Sequence, residues 1–80
     1  MNETRLVDIP KGDEQKIKQI IVSVYESLKE KGYNPISQLV GYIISGDPTY
    51  ITSYNNARSL ISRLERDDIL EELLKNYLNN

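Results

Sequence analysis

The sequence contains no cysteine, no histidine, no tryptophan and no phenylalanine. Without cysteine there are no disulfides and no thiolate zinc ribbon. Without histidine the chain lacks the commonest protein metal ligand and the commonest general base. Neither a Ser-His-Asp nor a Cys-His set can be assembled. The four glycines, at 12, 32, 41 and 46, stand singly, so no glycine-rich loop can cradle a phosphate. These absences point away from an enzyme, and neither a cofactor nor a metal is expected. No apolar run is long enough to cross a bilayer, and the N-terminus lacks a signal peptide's basic and apolar regions. The expected address is therefore cytoplasmic.

Eighty residues make one domain with a thin core. Small domains are usually reinforced by disulfides, a metal or a partner subunit. With the first two removed, oligomerisation remains, and the chain is expected to be a homodimer. Net charge is −2 and the isoelectric point is near 5.0, whereas nucleic-acid-binding domains usually carry a basic face.

Residues 1–12 show no helical period and read as a mobile tail: Leu6, Val7 and Ile9 form a short apolar stretch that Pro10 and Gly12 end. The rest, 13–80, reads as an all-α domain of four helices. Asp13 is a candidate cap for the first. Ile17, Ile20, Ile21, Val24 and Leu28 then fall on one stripe, and Lys31-Gly32 marks the stop. Asn34-Pro35 opens the second helix, with Ile36, Leu39, Val40, Ile43 and Ile44 as its buried side and Ser45-Gly46 as its end. Gly41 inside it costs about 1 kcal/mol against alanine; either close packing with another helix explains that cost or the position is a plain weak spot. After the Asp47-Pro48 turn, Thr52 or Ser53 can cap a third helix reaching about Leu64, with Ala57, Leu60, Ile61 and Leu64 inward. Asp67 or Asp68 caps a fourth, whose apolar face is Ile69, Leu70, Leu73, Leu74, Tyr77 and Leu78. That face is wide for a terminal helix. Leu70, Leu73, Leu74 and Tyr77 are the expected dimer interface.

The run Glu65, Asp67, Asp68, Glu71, Glu72 reads as caps and a solvated face rather than a metal site. The second and third helices resemble a helix-turn-helix pair, and Arg58, Arg63 and Arg66 could serve a recognition helix. Acidic neighbours follow them at once, so the arginines are read instead as the surface for a protein partner or a phosphate. The six tyrosines, with Tyr33, Tyr42, Tyr50 and Tyr54 near the centre, suit half-buried positions and interfaces.

From Lys31 to Leu78 the chain carries KGYNP, QLVGY, SGDP followed by a tyrosine, an Ala-Arg pair and ERDD at the start of the last helix. This ordered set closely resembles the IreB/ReoM family of small proteins from Gram-positive bacteria. The resemblance implies an all-helical homodimer that is the substrate of a transmembrane Ser/Thr kinase with PASTA repeats, reversed by a phosphatase. It implies control of cell-wall precursor supply and antibiotic resistance through a protein client, in one branch by way of Clp protease. The matching phosphoacceptor is Thr4, within Glu3-Thr4-Arg5, while Thr49, Thr52 and Ser53 are further candidates. The rival reading is a helix-turn-helix transcription regulator.

Overall fold

The computed structural model describes residues 14–79. Among them every regular element is helical: α1 (Glu14–Glu30), α2 (Pro35–Ser45), two short 3-10 turns (Pro48–Tyr50 and Tyr54–Asn56), α3 (Ala57–Ile61) and α4 (Arg66–Leu78). The all-α expectation holds. The tail, Thr4 and the Asp13 cap lie outside the described residues.

α1 is the central post. Ile17, Ile20, Val24 and Leu28 are buried and Ile21 is half-buried, which is the predicted stripe, with Ser27 buried beside them. Gly32 adopts a left-handed φ of 87°, and Tyr33 donates its backbone N–H back to Leu28 O at 3.0 Å. These two features end the helix and turn the chain into α2.

α2 begins as its sequence dictates. Asn34 Oδ1 accepts the Ser37 N–H at 3.1 Å, and Pro35 fills the first turn, where its missing N–H is harmless. Its burial departs from expectation. Tyr42 alone is fully buried and Leu39 and Ile43 are half-buried, while Ile36, Val40 and Ile44 stand 60%, 48% and 77% exposed. α2 is apolar almost all round, and in so small a chain only its Leu39–Tyr42 side finds neighbours. Gly41 lies beneath the Tyr50 ring, so close that a β-carbon would overlap it, and Gln38 Nε2 donates to Tyr50 O at 2.8 Å. Close packing therefore explains Gly41, but the partner is a 3-10 turn rather than a helix.

The link from α2 to α3 is tightly bonded. Ser45 Oγ donates to Gly41 O, Asp47 N–H donates to Ser45 Oγ, and Asp47 Oδ1 accepts both the N–H and the hydroxyl of Thr49. This run delivers Ile51 into the core with no exposure at all. Asn55 and Asn56 then take left-handed φ values of 57° and 59°, a conformation asparagine tolerates better than most residues. They break the helix expected from Thr52 or Ser53, so α3 starts only at Ala57. Its inward set, Ala57, Ile61 and Leu64 with half-buried Leu60, is as predicted.

α4 starts at Arg66, with Glu65 as the flanking residue, so Asp67 and Asp68 fall in the first turn instead of capping it. There they face the positive end of the helix dipole. The helix turns Asp68, Ile69 and Glu72 inward, and leaves Leu70, Leu73, Leu74, Tyr77 and Leu78 between 42% and 79% exposed. Lys75 Nζ meets Glu14 Oε2 at 2.7 Å and ties the end of α4 to the start of α1.

Candidate functional site

Three features could do work: the arginines, the outward apolar stripes and the surface depressions. Arg58 sits on α3, half-buried, and its Nε donates to Ile51 O at 2.8 Å. It thereby fixes the loop that inserts Ile51 into the core. Arg66 reaches from α4 to α2, where Nη1 donates to Ile43 O at 2.9 Å and the guanidinium rests against Gly46. It satisfies a carbonyl left unpaired at the end of α2. Arg63 lies in the turn between α3 and α4, exposed, and makes no side-chain hydrogen bond among the described residues. The three expected contact arginines are thus not equivalent: two are latches between elements, and Arg63 is the one presented outward.

Arg58 also borders an open depression of about 500 Å3 that it shares with Ser53, Asn56, Ser59 and Ser62. Asp47 lies within electrostatic reach of the same guanidinium. The Thr49 N–H and hydroxyl, and to a lesser degree Arg58, hold the Asp47 carboxyl below the usual carboxylate range. On the opposite side of the link, the Tyr54 hydroxyl donates to the Glu30 carboxylate, which raises its pKa above the ordinary tyrosine value. Lys31 Nζ stands 5.1 Å from the centre of the same ring, within cation–π range. These contacts pin the turn before α3 to the end of α1.

The apolar stripes are the largest unpaired feature. Ile36, Val40 and Ile44 run along α2 at four-residue spacing, and Leu70, Leu73, Leu74, Tyr77 and Leu78 run along α4. Arg66 bridges the last turn of α2 to the first turn of α4. Large contiguous exposed apolar surface on a small domain marks an interaction site. The four residues expected at a dimer interface are exposed on α4, and the α2 stripe, which sequence spacing assigned to the core, is exposed as well.

No group of three or more carboxylates converges as a metal site among the described residues, and no described helix is long and apolar enough to cross a membrane. The sequence model of the IreB regulatory phosphoprotein family matches residues 2–79. The chain belongs to the IreB family. A UPF0297 protein of Ruminiclostridium cellulolyticum is similar to it, with 61% identity over 80 residues, covering 100% of this chain and 91% of that relative. Membership spans the tail as well as the helical body, and it gives the chain a regulatory role. The arginine latches and apolar stripes are therefore features of a regulatory phosphoprotein.

Proposed function

We propose that this IreB-family chain is a non-enzymatic, homodimeric adaptor whose protein contacts are switched by phosphorylation of Thr4. The observation that carries the reading is the inside-out burial of α4. A helix that turns two carboxylates inward and four leucines outward is built to meet another surface. Leu70, Leu73, Leu74 and Tyr77 are the proposed dimer interface, with the α2 stripe extending it or receiving a client. Arg63, joined by the outer edge of Arg58, is the proposed polar contact for that client.

The kinase proposed is a transmembrane Ser/Thr kinase of the PASTA type, opposed by a phosphatase. The process proposed is cytoplasmic control of peptidoglycan precursor supply, and with it antibiotic resistance, through a client that reaches Clp protease. A phosphate on Thr4 adds about −1.5 to −2 charges and strong acceptor oxygens to a segment that a kinase must reach in extended form. Site-resolved mass spectrometry of the kinase-treated chain tests this. One phosphate on Thr4, lost in Thr4→Ala, is expected. Unchanged incorporation in that variant, carried by Thr49, Thr52 or Ser53, would move the switch to the link before α3.

The structure gives a DNA-reading alternative little support. α3 has five residues, two left-handed asparagines precede it, and two of the three arginines are committed to backbone carbonyls.

A further inference from the structure

We propose that the exposed α2 stripe is the seat of a second copy's α4 stripe, so that the two protomers exchange unlike helices across a two-fold axis. The pairing rests on the homodimer reading and adds which surfaces meet: α4 on the partner's α2, and α2 on the partner's α4. Each protomer presents both halves of the contact, as an isologous interface requires.

Three observations select the second copy's α4 as occupant. The first is shape. Ile36, Val40 and Ile44 stand four residues apart and form one exposed ridge, about 12 Å long at a rise of about 1.5 Å per residue. The neighbouring row, Ser37, Gly41 and Ser45, holds only small residues, so the ridge stands proud of it. α4 carries two exposed rows at the same four-residue spacing, Leu70-Leu74-Leu78 and Leu73-Tyr77, with a groove between them. That groove is also about 12 Å long, because Leu70 to Leu78 is the same eight-residue step as Ile36 to Ile44. A ridge of four-residue spacing seated in a groove of the same spacing is the commonest helix packing, with axes crossing at about −50°.

The second is charge. α4 carries Asp67, Asp68, Glu71 and Glu72 against Arg66 and Lys75, and those two cations already serve Ile43 O and Glu14. Two α4 helices set face to face double this acidic excess within one contact. α2 carries no charged residue from Pro35 to Ser45, so α4 seated on it meets no like charge. The third is coverage. The α2 stripe ends at Ile44, next to the Ile43 carbonyl that Arg66 holds at 2.9 Å, and the α4 stripe begins at Leu70, one turn beyond Arg66. The two stripes therefore run from one corner of the protomer. Pairing α4 with the partner's α4 leaves both α2 stripes in water, whereas pairing unlike helices covers all four stripes in one two-fold contact.

The absence of cysteine makes the test clean, because single cysteines can be placed on the full chain without competitors. An equal mixture of Val40→Cys and Leu74→Cys chains, oxidised at micromolar concentration, should give chiefly the mixed disulfide by intact mass, and neither chain alone should cross-link. Sedimentation supplies the second arm. Val40→Lys and Leu74→Glu should each weaken self-association at least about a hundredfold, since each buries an unpaired charge in the dimer. Both should keep the native helical circular dichroism, because Val40 and Leu74 are exposed within one protomer. Mixed together, these two chains should form a one-to-one dimer, in which one contact is native and the other joins the introduced amine to the introduced carboxylate. A disulfide formed by Leu74→Cys alone would seat α4 on the partner's α4 and overturn the pairing. A Val40→Lys chain that dimerises as tightly as the native one would leave the α2 stripe to a different protein and overturn it as well. A native chain that sediments as a monomer would refute the homodimer reading itself, and the pairing with it.

Discussion

At Gly41 the ring of Tyr50 occupies the place where a β-carbon would go. Alanine gains about 1 kcal/mol of helix propensity there but overpacks against the ring, which typically costs about 1–3 kcal/mol. Gly41→Ala should therefore be neutral to destabilising in the native chain and stabilising in a Tyr50→Ala background, a sign reversal that urea melts of the four proteins would display. The arginines separate in the same way. Arg58→Ala leaves Ile51 O without its donor and should lower stability by about 1–2 kcal/mol. Arg63→Ala should leave the melt unchanged and weaken only client binding. Titration offers a third reading at this scale. Asp47 is held below the usual carboxylate range by Thr49, so its contribution is present at neutral pH and is lost as pH falls through the folded value. The stability difference between the native chain and Asp47→Ala should shrink on acidification. Lys75 is held up by Glu14, so its contribution is present below the ordinary lysine range and is lost as pH rises through the folded value. Close packing at Gly41 was legible in sequence, but the partners of Arg58, Arg66 and Gly41 were not, because each lies 7 to 23 residues away.

α1 was legible almost residue by residue, because a long helix with one apolar stripe has a single way to bury it. The caps of α2 were legible for a local reason: Asn34, Pro35 and Gly46 act on groups within four residues. The start of α3 was not, since consecutive left-handed asparagines are a backbone choice that apolar spacing does not report. The face of α2 misled, whereas the leucines of α4 were expected to seek cover outside the protomer and are exposed within it. Apolar periodicity identifies a stripe that seeks cover, but it does not say whether the cover comes from the same chain. On α4 the inward side holds Asp68, Ile69 and Glu72, and the leucines lie outside. This gives a sharp expectation for the element. Because Leu73 and Leu74 are exposed within one protomer, Leu74→Asp should keep its helical circular dichroism while losing self-association. In a two-chain interface the same aspartate would be buried without a partner. Collapse of the helical signal along with association would instead show that the protomer cannot stand without its mate.

For the molecule as a whole, a helical body with unpaired apolar stripes is joined in the proposed function to a phosphoacceptor at Thr4. Membership of the IreB family was legible in sequence through motifs now seen to have structural jobs. The Asn-Pro of KGYNP caps α2, the VGY glycine admits Tyr50, and SGDP forms the bonded turn that delivers Ile51. The arginine of the Ala-Arg pair is the latch on that same loop. A heparin column should retain the chain no better than its charge of −2 implies, because Arg58 and Arg66 serve internal carbonyls rather than phosphates. The central claim is that this chain works through surfaces it cannot cover alone. Sedimentation equilibrium of the full chain at micromolar concentration tests it most directly. The account predicts twice the 9.2 kDa chain mass for the native protein and a single chain mass for Leu74→Asp. A native protein that sediments as a monomer at that concentration would contradict it.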